Sequence, residues 1–187
     1  MAMHGEYRLR TLDAAAYEEE KRKHADWFRD PDPVKVHQAM DEIVDALQVT
    51  DSGWLDNIVT DFARRYLIAG GIGGAMRLFL HQNTNPSNVR LSTLQNTYTD
   101  GAASQVQAVI VSATLDDSLL LQTRITQFPQ PTVPRTVNLV GMTPLTDISV
   151  AQWSLNSIIS YTKLTSTVVQ QPTEVANLQH RLTWSLG

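Results

Sequence analysis

Apolar and polar positions in the first 70 residues follow helical spacing. Residues 11–28 combine alanines with long charged side chains, and Asp13 stands where it can cap a helix. Pro33, a residue favoured at the first helical position, opens a second helix over residues 33–48. Residues 54–67 keep an apolar spacing of three and four, which predicts a third helix.

The second half of the chain mixes strand and helix signals. Residues 106–115 are rich in β-branched side chains, and residues 119–126 predict an antiparallel return. Residues 136–140 predict a further short strand, whereas apolar spacing predicts helices at 149–164 and 173–184. We therefore predict an α+β fold with a predominantly helical N-terminal half and a mixed strand and helix C-terminal half. An all-α helix bundle is the alternative.

The same pattern suggests three regions along the chain. Residues 1–32 form an N-terminal arm with a helix, and residues 33–90 form a helical core. Residues 91–187 form a neutral, polar α+β region that we expect to supply the main assembly surface. One continuous domain is the alternative, since 187 residues suit one large domain or two small ones.

Charge is unevenly distributed between the two halves. Residues 1–90 hold 25 of the 34 Lys, Arg, Asp and Glu side chains, and residues 91–187 hold nine together with 39 Ser, Thr, Asn or Gln. Charged side chains are depleted where surfaces associate, because a charge removed from water must find a partner. The composition therefore favours self-association through the second half, although a monomer with a neutral polar surface fits the same numbers.

The sequence contains no recognisable catalytic or metal-binding motif. The chain has no Cys, which excludes disulfide scaffolds, thiol catalysis and cysteine zinc sites, and its five histidines lie in separate segments. Residues 70–74 (Gly-Gly-Ile-Gly-Gly) lack the lysine and the spacing of a phosphate loop and predict a tight bend. We therefore predict no enzymatic activity, no catalytic residue, no metal site and no cofactor. No apolar run reaches the length of a membrane helix, so no membrane partner is expected.

Four arginines in or beside the most apolar part of the chain are the exception. The Arg guanidinium suits phosphate, because its planar fork donates two parallel hydrogen bonds. We take Arg64, Arg65 and Arg90 as candidates for nucleic-acid phosphate contact, with Arg77 in the same region. The alternative is a structural role at helix ends or in ion pairs with nearby aspartates.

Several short segments resemble the coat proteins of rod-shaped plant viruses, the tobamovirus-like and benyvirus-like group. The segments are Trp27–Pro31, Ser52–Asn57, Asn83–Pro86, Asp100–Ala102 and Arg181–Ser185. The resemblance implies a four-helix-bundle subunit that polymerises around RNA. The Thr, Pro and Val content of residues 126–150 is more similar to a β-containing icosahedral capsid subunit.

Together these patterns predict a viral coat or capsid protein that self-assembles into a multi-subunit particle within the virion. Its partners would be copies of itself, with viral RNA or other capsid proteins in addition. Trp153, Trp184 and Asp100 are the candidate subunit contacts. One alternative is a phage tail or head-completion protein that forms a ring, and another is a small bacterial ligand-binding domain or enzyme.

Overall fold

The chain begins with a strand in which apolar and charged side chains alternate. In the computed structural model this strand, β1, runs over Ala2–Asp13. Tyr7 and Leu9 point to one face, where they are fully buried, and Arg8 and Arg10 point to the other. This period of two gives β1 two distinct faces, so that each face can pack against a different layer.

The structure describes residues 2–59, 76–82, 93–94, 105–107, 109–115, 119–144, 153–154 and 158–185. Strands dominate these residues, since 83 of the 133 described residues lie in strands. After β1 the elements in chain order are α1 (Ala14–Lys23), a 3₁₀ turn (Trp27–Arg29), α2 (Pro33–Leu47), β2 (Gln48–Asp51), β3 (Leu55–Asp56), β4 (Ile58–Val59), β5 (Met76–His81), β6 (Thr93–Leu94), β7 (Gln105–Gln107), β8 (Val109–Leu115), β9 (Leu119–Phe128), β10 (Arg135–Pro144), β11 (Trp153–Ser154), β12 (Ser160–Gln170) and β13 (Glu174–Ser185).

The longer strands form two antiparallel sheets. Sheet A has the order β2-β1-β13-β9-β8, with β3 paired beside β2 on the same edge of β1. Sheet B has the order β4-β12-β10-β5-β7. A small third sheet pairs β11 with β6. The first and last strands lie side by side along their full length, from Ala2 opposite Ser185 to Asp13 opposite Glu174.

The two sheets are joined at both sides by chain that passes directly from one sheet to the other. On one side β3 pairs with β1 and β4 pairs with β12, and only Asn57 separates them. The Asn57 amide donates to the Gly5 carbonyl at 2.8 Å, which fixes this crossing. On the other side a single residue separates β7 in sheet B from β8 in sheet A. The described strands therefore form a two-sheet sandwich in which the chain links the sheets directly along both sides.

The core lies in three layers that follow from this arrangement. The largest apolar cluster fills the space between the sheets, with Leu9 and Leu178 from sheet A against Leu80 and Val140 from sheet B. A second cluster lies between sheet A and the two helices. A third, around Phe79 and its neighbours, lies on the outer face of sheet B. Burial of each large apolar side chain contributes about 1.5–3 kcal/mol, so the inter-sheet cluster is the main source of stability.

Helix α2 is held against sheet A by a buried arginine. Arg10 is completely buried and donates to Asp45 at 2.6 Å and to Asp41 at 2.9 Å, both on α2. Its guanidinium also reaches the Asn177 side chain on β13 at 3.1 Å. Gln179, the next outward-facing residue of β13, donates to the same Asp41 carboxylate. Because these acceptors come from both α2 and β13, the cluster joins helix and sheet.

The prediction of a helical N-terminal half is wrong, and so is the alternative of an all-α bundle. Residues 54–59 contain two short strands instead of a helix, and residues 60–67 lie outside the described residues. The predicted late helices are also wrong, since their described residues belong mainly to β12 and β13. The pairing of distant strands overrides the apolar spacing of three and four in all three segments.

Other elements agree with their sequence signals. The helix at 33–48 is confirmed as α2, and the helix at 11–28 is confirmed over Ala14–Lys23. Asp13 caps α1 by accepting from the Ala16 amide at 2.8 Å. The strand pair predicted at 106–115 and 119–126 is confirmed over Val109–Leu115 and Leu119–Phe128, the antiparallel pair of β8 and β9. Residues 106 and 107 belong instead to β7 of sheet B.

Candidate assembly surface

The exposed side chains that the structure describes in the second half are almost all uncharged. Of the 14 exposed side chains described between residues 123 and 183, two are charged, Lys163 and Arg181. Between residues 4 and 59, by contrast, 12 of the 20 exposed side chains are charged. The low charge of the second half is thus a property of its solvent-facing surface and not only of its buried strands.

The other twelve exposed side chains all lie in three neighbouring segments of one end of the sandwich. These segments, together named the neutral end, are residues 129–134, 165–169 and 171–173. They contain only Pro, Gln, Thr, Ser and Val at their exposed positions. Segment 129–134 links β9 to β10, and segment 171–173 links β12 to β13, so both connect sheet A to sheet B.

Side-chain amides tie two of these segments together. Gln130 donates to the Pro172 carbonyl at 3.0 Å, and Gln170 donates to the Pro129 carbonyl at 3.1 Å. The Thr173 carbonyl accepts from the Ala14 amide at 2.9 Å, which joins the start of α1 to the same end. Together with the prolines, which restrict the backbone, these bonds present the neutral end as an ordered surface.

Two charged side chains that border this surface point inward. Arg135, at the start of β10, is buried and donates to the Gln170 side chain at 2.9 Å. Glu174, at the start of β13, is also buried, and its carboxylate accepts from the Gln171 amide at 2.9 Å. These two side chains support the loops from within, whereas Lys163 and Asp13, at the border of the neutral end, are exposed.

A bulge in β12 supplies the third segment. Val168 lies opposite Val137 and Lys163 lies opposite Leu139, so four residues of β12, 164–167, face the single residue Asn138 of β10. Thr167 donates to the Asn138 side chain at 2.6 Å and closes the bulge. Bulges at sheet edges interrupt the ladder and discourage strand addition. This part of β12 therefore offers hydroxyl groups to a partner instead of an open strand edge.

Two exposed valines give the neutral end an apolar component. Val133 is 59% exposed and Val169 is 38% exposed, and they are two of the four large apolar side chains found exposed in the described residues. Val169 lies opposite Thr136, and the chain from Val133 to Thr136 can span at most about 11 Å. The two valines therefore lie close enough to be covered by one partner.

A polar row crosses the interior of the sandwich. Tyr7, His180 and Arg124 are direct cross-strand partners on β1, β13 and β9, and all three are buried. The rings of Tyr7 and His180 lie 4.6 Å apart, and the Tyr7 phenol bonds the Ser160 hydroxyl at 2.6 Å across the two sheets. Neither ring nitrogen of His180 has a hydrogen-bond partner within the described residues.

The electrostatics of this row keep His180 neutral. Burial, together with the nearby Arg124 charge, lowers the pKa of His180 to about 3. Burial also raises the pKa of the Tyr7 phenol above its usual range, so it stays protonated at neutral pH. The buried location of Tyr7, Ser160 and His180 keeps this row away from solvent, and its hydrogen bonds serve to join the two sheets.

A second group of titratable side chains lies on the surface. His4 and Glu6 of β1 and Asp56 of β3 each place one potential metal-ligand atom within 4.8 Å of the others. Sequence reasoning predicted no such set, because Asp56 is 50 residues away from Glu6 along the chain. The pairing of β3 with β1 brings them together.

The structure describes only some of the predicted site residues. Arg64, Arg65, Arg90 and Asp100 lie outside the described residues, as does the glycine segment 70–74. The backbone of Trp153 pairs with Leu94 in the small third sheet, and that of Trp184 pairs with Met3 and Leu120 in sheet A. Arg77 lies on β5 and is half-buried. The contacts predicted for these side chains stay predictions.

The exposed residues of the neutral end were not identified from the sequence as candidate contacts, although they lie in the predicted assembly region. Among these residues are Val133, Val169 and the hydroxyl-bearing residues 165–167. A signal was available for the loop, since prolines flank residues 130–133 at both ends. The bulge carried none, because residues 165–167 directly follow a segment, 149–164, for which the apolar spacing predicts a helix.

Comparison with protein-family models, with curated proteins and with solved structures found no match for this chain. Neither α1 nor α2, the two α-helices in the described part, is long and apolar enough to cross a membrane.

Proposed function

We propose that this protein is a non-enzymatic structural protein, a viral coat or capsid subunit, that assembles with copies of itself through the neutral end. The single observation that carries the proposal is the charge distribution of the surface. Twelve of the 14 exposed side chains described in the second half are uncharged, and all twelve belong to the neutral end.

Physical reasons favour association at such a surface. Hydroxyl and amide groups cost less to bury than ionised groups and can form hydrogen bonds across a contact. Val133 and Val169 add apolar area, which contributes about 25 cal/mol per Å² when it is removed from water. Each contact between subunits can be weak, because a subunit in a closed assembly makes several contacts at once.

The viral setting rests on architecture and on the resemblance described above. Two packed antiparallel sheets are an architecture that capsid subunits use, although the same architecture serves other functions. The helix bundle of rod-shaped virus coats does not describe this fold, so the proposal is a β-rich subunit of a shell within the virion. Other capsid proteins would then be partners together with further copies of this chain.

Contact with genome phosphates is part of the same proposal and is assigned to Arg64, Arg65 and Arg90. A chain with a net charge of −4 has no overall positive field, so nucleic-acid binding would rely on a few arginines repeated in every subunit. Arg→Ala at each position is expected to reduce the nucleic-acid content of purified particles. Unchanged content in all three variants would contradict the assignment.

The mass of the protein in solution tests the assembly. Sedimentation velocity over a hundredfold range of concentration is expected to give large species that persist at high salt, because screening weakens contacts between charges and not neutral ones. Negative-stain images of the same samples should then show closed particles. A ring of small fixed copy number would favour the phage tail or head-completion alternative. A monomer at every concentration would contradict the proposal and favour a ligand-binding domain.

A further inference from the structure

The surface group of His4, Glu6 and Asp56 is built by strand pairing and not by sequence proximity. His4 and Glu6 are two residues apart on β1 and therefore point to the same face of sheet A. Asp56 on β3 is the direct cross-strand partner of Glu6. The Nε2 atom of His4 lies 3.6 Å from Oδ1 of Asp56, and one donor atom from each of the three lies within 4.8 Å of the others.

The charge of this group is not balanced by a neighbouring cation. Arg181 is the cross-strand partner of Glu6 on β13, so it is the cation best placed to pair with Glu6. Its guanidinium lies instead over the ring of Trp54, 3.8 Å from the ring centre. Within the described residues no Lys or Arg forms an ion pair with Glu6 or Asp56. Two carboxylates thus lie close together beside an imidazole, while the guanidinium of the adjacent Arg181 lies over the Trp54 ring.

We propose that His4, Glu6 and Asp56 bind one divalent transition-metal ion, with Zn²⁺ as the best fit. One imidazole nitrogen and two carboxylate oxygens are ligands that Zn²⁺ accepts at about 2.0–2.2 Å. Two donors at that distance in tetrahedral geometry are about 3.4 Å apart, close to the separation of His4 and Asp56. The site is open to solvent, so water completes the coordination.

The bound ion would join β1 to β3, the strand from which the chain crosses to sheet B. Asp56 ends β3, and the chain crosses to sheet B directly after it through Asn57. A metal bond from β1 to β3 therefore holds the crossing in place. Because a ligand that binds only the folded state raises its stability, Zn²⁺ is expected to raise the melting temperature of the full chain.

The experiment is a titration of the full-length protein with Zn²⁺ by calorimetry, with Co²⁺ as a spectroscopic probe of the same site. The proposal predicts one ion per chain, a visible Co²⁺ absorption band that Zn²⁺ displaces, and a higher melting temperature with Zn²⁺. His4→Gln and Asp56→Asn are each expected to weaken binding at least tenfold, and neither side chain is needed for the core.

His24→Gln is the matched control. The Nε2 atom of His24 lies 3.6 Å from the Glu20 carboxylate on α1, the same separation as in the His4 and Asp56 pair, but the proposed three-residue ligand set does not include it. This variant should bind Zn²⁺ as the unmodified protein does. Failure of the unmodified protein to bind, or equal loss in His24→Gln and His4→Gln, overturns the proposal. Equal binding of Ca²⁺ overturns it as well, because Ca²⁺ takes oxygen ligands and would not use the imidazole.

Discussion

The phenolic oxygen of Tyr7 lies 2.6 Å from the hydroxyl of Ser160, and this hydrogen bond joins sheet A to sheet B inside the sandwich. The two residues are 153 positions apart in the chain. The same phenol also donates to the Ser160 carbonyl at 3.2 Å. A polar contact thus lies between the two layers of the main apolar cluster.

A double-mutant cycle should detect this contact as a coupling between the two sheets. Tyr7→Phe is expected to lower the free energy of unfolding by about 1–2 kcal/mol, because it leaves the buried Ser160 hydroxyl without this partner. Ser160→Ala should cost less, because the phenol keeps its hydrogen bond to the carbonyl of residue 160. The double variant should cost about as much as Tyr7→Phe alone, as measured by urea denaturation. Strictly additive losses would show that the two hydroxyls do not interact.

The free energy of unfolding should decrease as the pH is lowered, because His180 is buried in its neutral form. Its pKa is about 3 in the folded state and about 6.5 in the unfolded state, so below pH 6.5 the unfolded state binds a proton that the folded state does not. Stability is therefore complete above pH 6.5 and decreases as the pH falls. Between pH 7 and pH 5 the loss due to this group is about 2 kcal/mol.

His180→Phe provides the comparison, because it keeps an aromatic ring against Tyr7 and cannot take up a proton. Denaturant midpoints at pH 7 and pH 5 should differ less in this variant than in the unmodified protein, by the equivalent of about 2 kcal/mol. An identical pH dependence in His180→Phe and the unmodified protein would contradict the buried, neutral state of His180.

Removal of the Arg10 side chain should detach α2 from sheet A. Arg10→Ala removes a buried guanidinium that links Asp41 and Asp45 of α2 to Asn177 of β13. Because both carboxylates left behind are partly exposed, the expected loss is about 1–3 kcal/mol. The control is Arg29→Ala, since the pair of Arg29 and Asp26 is exposed and such pairs contribute about 0–1 kcal/mol. Hydrogen exchange of the α2 amides should accelerate in the first variant alone. Equal stability of the two variants would contradict this role for Arg10.

Gly141 is required because the ring of Phe79, its partner on β5, covers it. A Cβ atom at this position would contact the Phe79 ring and would lie 2.7 Å from the Ser160 carbonyl oxygen. Gly141→Ala is therefore expected to cost about 1–3 kcal/mol in thermal or urea denaturation. Phe79→Leu in the same chain should restore part of the loss if the ring is the obstacle. No loss in Gly141→Ala would contradict this packing.

Local signals were sufficient for the helices and for one strand pair. The cap at Asp13 and the proline at position 33 act within a few residues of themselves, so the sequence alone located α1 and α2. The β-branched runs of β8 and β9 are close in the chain and needed no distant partner. The alternation of Gly5, Tyr7 and Leu9 with charged residues also carried a strand signal for β1, which the prediction did not use.

Long-range pairing decided the rest. In β13, Val175, Leu178 and Leu182 have helical spacing, whereas Ala176, Leu178 and Leu182 face the inter-sheet core with the period of a strand. The polar residues Asn177, Gln179 and His180 are buried too, so polarity does not mark one face of this strand. Both periods fit the sequence, and only the pairing with β1 and β9 selects the strand. The pairing of β3 with β1 likewise decided the surface group of His4 and Asp56.

A lysine placed at the neutral end tests the central claim most directly. Val133→Lys inserts a charge into the proposed contact. Val49→Lys is its matched control, because Val49 lies on β2 in the charge-rich first half and is 58% exposed, whereas Val133 is 59% exposed. Sedimentation velocity should show that Val133→Lys stays monomeric at concentrations where the unmodified protein and Val49→Lys assemble. Assembly of Val133→Lys to the same extent as Val49→Lys would contradict the claim that copies of this protein associate through the neutral end.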